Sequence, residues 1–225
     1  MDSIPIAILA GGLATRLRPL TETTPKSMLP VNGRPFLEHQ LEYLRGQGLR
    51  RIVILAGHLG EQIRQHFGNS LECSFDGPTP LGTAGAIKRA LPLLGERFFV
   101  MYGDSWLPTD FSAVLDGFVF SGARALMTVH RNHDQWDRSN VWFEAGRIRA
   151  YCKTNPMPAM QHIDYGLSVF KASAFDQMPA ETPYDLAELF GDLLQTGDLA
   201  GYEVRERFYE IGSPTGLAEF THDFQ

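Results

Sequence analysis

Between Gly11 and Lys26 the run GGLATRLRPLTETTPK sets a glycine pair, a threonine and three cations, Arg16, Arg18 and Lys26, against one acid, Glu22. The chain of 225 residues carries a formal net charge of -6, so this local reversal of sign points to an anionic ligand. Gly11 and Gly12 lack Cβ atoms, which lets the backbone take positive φ and approach a ligand closely, with consecutive N–H groups turned toward phosphate oxygens. Thr15, Arg16 and Lys26 add a hydroxyl, a forked cation and a point charge. The same spacing also suits a tight glycine turn with solvated arginines. No GxxxxGK[ST] or GxGxxG occurs in the loop, which argues against P-loop kinases and Rossmann dehydrogenases.

Those residues need a scaffold that delivers them to one edge. Ile4 to Ala10 reads as a buried strand stopped by Gly11-Gly12, which makes the cationic segment the loop after it. A helix from Pro35 to Arg45 follows, with Leu37, Leu41 and Leu44 on one face and Pro35 in its first turn. Arg51–Ala56 reads as a strand, Leu59–Phe67 as a helix and Leu71–Phe75 as a strand. After the Gly77 to Gly82 loop, Thr83 is expected to cap a helix reaching about Leu94, and Phe98–Tyr102 is a strand ending in Gly103-Asp104. This alternation predicts a Rossmann-like three-layer α/β/α fold with ligands at the carboxyl ends of the strands. Beyond residue 110 the strands Ala125–His130, Val141–Phe143, Arg147–Cys152 and Leu167–Phe170, with a turn at Glu144-Ala145-Gly146, predict that a mainly parallel central sheet becomes mixed. Asp185–Leu194 reads as an amphipathic helix, and strands near Tyr202–Val204 and Phe208–Ile211 precede a helix from Pro214. The expectation is a single domain over 1–225, its part for nucleotide about 1–110 and its part for sugar about 111–225.

Composition narrows the partners. With 44% hydrophobic and 20% charged residues the chain is globular, and a sequence pI near 5.6 without a basic aromatic stripe argues against nucleic acid. No apolar run is long enough to cross a bilayer, and Met1-Asp2-Ser3 opens no leader segment, so the expectation is a cytoplasmic protein without membrane partners. Cys73 and Cys152 lack metal-ligand spacing and read as reduced thiols. His130, His133, Asp134 and Asp137 form a polar loop with no metal-site framework, His58 reads as a loop or packing residue, and Lys88 and Arg89 as a solvated helix face. One of Trp106, Trp136 and Trp142 is considered for a sugar pocket.

Leu9-Ala10-Gly11-Gly12-x-x-Thr15-Arg16-Leu17-x-Pro19-Leu20-Thr21 with Pro25-Lys26 resembles the signature of the sugar-1-phosphate nucleotidyltransferase family. Pro30-Val31-x-Gly33-x-Pro35, Leu81-Gly82-Thr83-Ala84-Gly85-Ala86, Gly103-Asp104, Asp164-Tyr165-Gly166 and Ile211-Gly212-Ser213-Pro214 recur in the family's order across nearly the whole length. The resemblance implies nucleotide contacts at Leu9, Ala10, Gly11, Gly12, Thr15, Arg16, Lys26, Gly82, Thr83, Ala84 and Gly85. It implies catalytic roles for Arg16, Lys26 and Asp104, and places the sugar phosphate near Asp104, Lys153, Asp164, Tyr165 and Gly166. Mg²⁺ on Asp104 and Glu210 is the implied cofactor. Three positions depart from the pattern: Ala14 for glycine, Cys152 before Lys153 for glutamate, and Glu210 for aspartate. At positive φ an alanine at position 14 would be strained.

The implied reaction joins an NTP and a sugar 1-phosphate into an NDP-sugar and pyrophosphate, in a monomer or small homo-oligomer. Val31 to Glu38 resembles guanylyltransferases acting on D-glycero-D-manno-heptose or mannose 1-phosphate. Uridylyltransferases acting on MurNAc or glucose 1-phosphate are the alternative, and an inactive nucleotide-sugar-binding regulatory subunit or binding module is another class. The presence of Arg16, Lys26, Asp104 and Lys153 favours the enzyme. No hexapeptide repeat of a β-helix is found.

Overall fold

Ile6, Ala7 and Ile8 are fully buried, as the first strand of a sheet covered on both sides must be. The computed structural model describes residues 3–179 and 182–224; Met1 and Asp2, where the reading of the N-terminus begins, lie outside them. In chain order the strands are β1 (Ile6–Ala10), β2 (Pro30–Val31), β3 (Arg34–Pro35), β4 (Ile52–Ala56), β5 (Glu72–Phe75), β6 (Arg97–Tyr102), β7 (Ser105–Trp106), β8 (Ala125–Arg131), β9 (Val141–Glu144), β10 (Arg147–Tyr151), β11 (His162–Lys171), β12 (Leu199–Val204) and β13 (Tyr209–Glu210). The helices are α1 (Phe36–Gly46), α2 (Gly60–Phe67), α3 (Gly82–Leu94), α4 (Phe111–Ser121), α5 (Leu186–Gln195) and α6 (Pro214–Asp223).

The main sheet runs β10-β9-β11-β6-β1-β4-β5, with β8 on the other edge of β11 and β12 beyond it. The β6-β1-β4-β5 block is parallel, in register Ile8↔Ile54 and Ile8↔Met101. β11 then pairs antiparallel with β6 and β8, giving the mixed sheet expected of the second half. Side-chain parity separates two layers. Ile6, Ile8, Phe99 and Met101 pack with Leu41 of α1, Ile63 of α2 and Phe118 of α4, whereas Ala7, Val53 and Val100 pack with Ile87 of α3 and Phe190 of α5. A three-layer α/β/α domain with a mainly parallel sheet results. A smaller apolar cluster of Val31, Phe36, Ile211 and Phe220 seats α6 against β2 and β13.

Four local expectations are corrected. Pro35 ends β3 and precedes α1 as its N-cap residue instead of occupying the first turn. Thr83 does not cap its own helix: α3 starts after Leu81, and the Thr83 hydroxyl accepts the Leu186 amide of α5 at 2.7 Å. β11 begins at His162, five residues before its expected start, because Gly166 at φ 94 sits where the pairing with β8 shifts register and breaks the strand pattern. α4 escapes periodicity because FSAVLDGFVFS is apolar nearly all round. Its signals are the Asp110 N-cap, which accepts the Ser112 and Ala113 amides, and Gly122 in the left-handed C-cap. Lys88 and Arg89 are no free solvent face: Lys88 donates to the Phe175 and Met178 carbonyls, and Arg89 to those of Phe75 and Asp76.

Candidate active site

At the carboxyl edge of the parallel block four turns stand side by side: Gly103-Asp104 after β6, Gly11-Gly12 after β1, Gly57-His58 after β4 and Asp76-Gly77 after β5. They floor a cleft of about 550 Å³, walled by Lys26 and Ser27 at one end and by Pro78, Pro80 and the start of α3 at the other. The turns touch. A Cβ on Gly11 would lie 3.1 Å from the Gly57 nitrogen, and one on Gly57 would lie 2.8 Å from the Gly11 carbonyl. Gly11 is therefore needed for close approach of two backbones. Neither Gly11 nor Gly12 takes positive φ; that conformation falls on Ala14, at φ 47 and ψ 43, whose carbonyl accepts the Leu17 amide at 3.1 Å and the Thr21 hydroxyl at 2.8 Å.

Beyond Ala14 a short 3₁₀ turn, Thr15–Leu17, buries Leu17 and leaves Arg16 exposed. A second one, Lys26–Met28, aims Lys26 at Asp104, with which it forms an ion pair. Glu210 arrives from far along the chain because β13 pairs with β7, setting Glu210 opposite Ser105, and because the Ile211 amide donates to the Asp104 carbonyl at 2.8 Å. Asp104, Arg16 and Glu210 converge on Gly212, with Lys26 paired to Asp104. A Cβ there would lie 3.1 Å from Asp104 Oδ2, 3.4 Å from Arg16 Nη2 and 3.7 Å from Glu210 Oε1. Burial and then the Asp104 charge raise the Glu210 carboxyl above its usual range, with Arg16 pulling it back.

Tyr102, the last residue of β6, separates this cleft from a second polar cluster. Lys153 Nζ donates to the Tyr102 hydroxyl at 3.3 Å and lies 5.4 Å from its ring centroid. Tyr151 donates to Asp164 Oδ2 at 3.3 Å, and Asp164 Oδ1 accepts the Gly166 amide at 3.0 Å. The Asp164 amide in turn donates to Asn140 Oδ1 at 2.9 Å. Burial, reinforced by Asp164, pushes the Tyr102 hydroxyl up to about 12. Burial likewise raises the Asp164 carboxyl, and the Lys153 charge opposes the rise.

Of the residues singled out in the sequence, Leu9, Ala10, Gly11, Gly12, Lys26, Gly82, Thr83 and Asp104 line the cleft, with Arg16 and Glu210 beside Asp104. Thr15 is exposed on the first 3₁₀ turn and does not line it. Ala84 and Gly85 do not line it either. Their amides donate to the Tyr184 carbonyl at 3.0 and 3.2 Å, and a Cβ on Gly85 would strike Leu81, so this helix start is closed by protein. Tyr165 is 2% exposed on the opposite face of the sheet, against His130 and Phe208, because a strand alternates sides and Asp164 and Gly166 take the other one. None of the three tryptophans lines the cleft: Trp106 packs on Phe224, and Trp136 stacks on Arg207. The polar loop also binds itself, with Arg131 donating to His133 and the Ser139 amide to Asp134. Among the described residues no group of three or more such side chains forms a metal site. Sequence reasoning missed Tyr102, Tyr151, Asn140 and Asp76, and left His58, on the cleft wall, as a packing residue. It also missed Ser27, whose buried hydroxyl has no hydrogen-bond partner among the described residues.

The family model described as nucleotidyl transferase matches residues 6–224. Among curated relatives, the UTP–glucose-1-phosphate uridylyltransferase of Synechocystis sp. is 30% identical over 216 residues, 84% of this chain and 55% of that protein. The D-glycero-alpha-D-manno-heptose 1-phosphate guanylyltransferase of Campylobacter jejuni is 37% identical over 110 residues, 47% of this chain and 49% of that protein. The matched segments thus span about half the length of these two relatives. The crystal structure of HddC from Yersinia pseudotuberculosis complexed with GMP-PN superposes with TM-score 0.84 at 22% identity, covering 99% of this chain and 100% of that one, a likeness of fold. Among the described residues no helix is long and apolar enough to cross a membrane.

Proposed function

The chain belongs to the nucleotidyl transferase family, and from that premise we propose that it transfers a nucleoside monophosphate from an NTP to a sugar 1-phosphate. The observation that carries this reading is the convergence of Arg16, Lys26, Asp104 and Glu210 at one end of a glycine-floored cleft, with Lys153 and Asp164 beyond Tyr102. Two polyanions meeting in one site need cations at the reacting end and room for an uncharged base at the other.

In the proposed reaction an oxygen of the sugar phosphate forms a bond to the α-phosphorus while the bond from that phosphorus to the pyrophosphate oxygen breaks. Arg16, exposed above Gly212, holds the β- and γ-phosphates and steadies the departing pyrophosphate. Lys26 leaves Asp104 for the transferring phosphates, and the hydroxyl of Ser27, without a partner among the described residues, can donate beside it. Lys153 receives the sugar phosphate, and Asp164, held by Asn140 and Tyr151, meets sugar hydroxyls. No side-chain nucleophile is required, because a phosphomonoester oxygen is already anionic at neutral pH.

Asp104 and Glu210 fit Mg²⁺: they are two hard carboxylates at one end of the cleft, and the Asp104 charge helps raise the Glu210 carboxyl, a cost that a cation held by both would relieve. When bound, the ion neutralises phosphate charge and orients the reacting oxygens. For the finer assignment we propose GTP with D-glycero-D-manno-heptose 1-phosphate or mannose 1-phosphate, supported by the identity to a heptose-1-phosphate guanylyltransferase. The uridylyltransferase relative, aligned over 84% of the chain, keeps UTP with a glucose- or MurNAc-type 1-phosphate as the second reading.

The test is pyrophosphate release from GTP, UTP, CTP, dTTP and ATP with Mg²⁺ against a panel of sugar 1-phosphates. GTP with a manno-configured sugar phosphate is the expected best pair. Nucleotide-sugar binding without turnover of any pair would replace this reading with that of a regulatory subunit.

A further inference from the structure

We infer that Gln40 of α1 is the positioning residue for both Asp104 and Glu210; this rests on the two carboxylates holding Mg²⁺ in the proposed reaction. Helix α1 buries Phe36, Leu37, Leu41 and Leu44, and among these apolar side chains it also buries Gln40, which is 1% exposed. An amide in such a place needs bonds, because burial costs a polar group its water. Here Nε2 donates to two backbone carbonyls at once, that of Ser105 at 2.7 Å and that of Tyr102 at 3.3 Å. Those two residues bracket Gly103-Asp104.

The turn is thereby pinned at each of its residues. The Gly103 amide donates to the Leu9 carbonyl at 2.9 Å, and the Ile211 amide donates to the Asp104 carbonyl at 2.8 Å. With Gln40 on the residues to either side, the Asp104 side chain is what remains to move, and it pairs with Lys26. The same amide reaches Glu210 by one further step. Ser105 stands opposite Glu210 in the β7–β13 pair, so the carbonyl that Gln40 grips lies on the strand that sets the place of Glu210. Each strand of that pair is two residues long and has little rigidity of its own, whereas α1 is eleven residues packed on the main sheet.

Gln40 Oε1 is buried and has no hydrogen-bond partner among the described residues. An unmatched buried acceptor costs stability, so packing alone does not account for a glutamine on this helix face. Methionine would fill much the same space. The two N–H bonds are what the glutamine adds, and both end on the backbone of the Asp104 turn. Partners that orient metal ligands from behind in this way alter metal affinity or rate by roughly ten- to hundredfold when removed.

Gln40→Met keeps the length of the side chain and loses both donors. The Mg²⁺ concentration giving half-maximal pyrophosphate release should rise by roughly ten- to hundredfold, while the KM values for NTP and sugar phosphate at saturating Mg²⁺ change little. Mn²⁺ binding to the enzyme without nucleotide, read by electron paramagnetic resonance, should weaken by the same factor. Leu41→Ala is the control for stability alone: it opens the core next to Gln40, lowers Tm, and should leave both metal readouts at wild-type values. A methionine variant with wild-type Mg²⁺ dependence and Mn²⁺ affinity overturns the proposal. So does one whose losses match those of Leu41→Ala, since Gln40 would then serve the fold alone. If Gln40→Met does not fold by circular dichroism, Gln40→His, which keeps one ring N–H near the place of the amide nitrogen, should give a smaller rise in the Mg²⁺ requirement; no rise overturns the proposal. Mn²⁺ binding without turnover in the wild type sinks the catalytic reading and leaves Gln40 to be judged by Mn²⁺ affinity, whereas a wild type that neither binds Mn²⁺ nor turns over sinks both.

Discussion

Replacing Ala14 by glycine should stabilise the protein, because the strain and the entropy at this position have opposite signs and different sizes. At φ 47 and ψ 43 the alanine occupies the left-handed region, where a Cβ costs roughly 1–2 kcal/mol. Two hydrogen bonds to its carbonyl, from Leu17 and Thr21, hold it there. Glycine removes that strain but loosens the unfolded chain, a loss of about 0.4–1 kcal/mol. The difference favours Ala14→Gly by roughly 0.5–1 kcal/mol, a rise in Tm of about 1–4 °C for a domain of this size. Ala14→Val makes the opposite test, since a β-branched residue in this region is a conformational outlier and should cost more than about 1 kcal/mol. Urea unfolding followed by circular dichroism reads both. A glycine variant less stable than wild type by about 1 kcal/mol, or a valine variant of unchanged stability, would refute the reasoning.

Other outcomes are open to similar measurement. Arg16→Ala and Asp104→Ala should each abolish pyrophosphate release while the circular dichroism spectrum stays that of the wild type; near-wild-type turnover in either removes the assigned role. Gly212→Ala pushes a methyl to 3.1 Å from Asp104 Oδ2, so kcat should fall by about tenfold or more with little change in Tm, given the sensitivity of transfer to small displacements. Arg124 holds the Asp198 carboxyl below its usual 3.8. A carboxylate with a depressed folded pKa contributes stability in full above its unfolded value and loses it as pH falls through the folded one. The stability advantage of wild type over Asp198→Asn should accordingly be present near neutrality and vanish in acid below 3.8. An advantage that grows in acid would contradict it.

The parallel half of the fold was legible mainly because β1, β4 and most of β6 are apolar runs ended by glycine. Gly11, Gly103 and the start of α3 were found as punctuation as well as by motif. What escaped was set by partners distant in sequence. Gly85 looks like part of a phosphate loop, yet its amide and that of Ala84 are taken by Tyr184. Lys88 and Arg89 look solvated because their carbonyl acceptors come from Phe175, Met178, Phe75 and Asp76. Tyr165 was assigned with its neighbours although alternation from His162 would have turned it away from them; Gly166 hid the strand that imposes that alternation. Asp76 carried no motif. Only the order of the strands shows that it shares a row with Asp104.

The interlocked starts of α3 and α5 restrict how this chain can be recombined. Thr83 receives the Leu186 amide, and Tyr184 receives those of Ala84 and Gly85, so each segment completes the other's helix end. A crossover with a homologue placed between Gly95 and Met178 must keep the backbone of the two segments in register, and one that brings a residue without a hydroxyl to position 83 would leave the Leu186 amide unmatched, at about 0.5–2 kcal/mol. Exchange of the second half of the chain would therefore succeed best when positions 83 and 184 travel together.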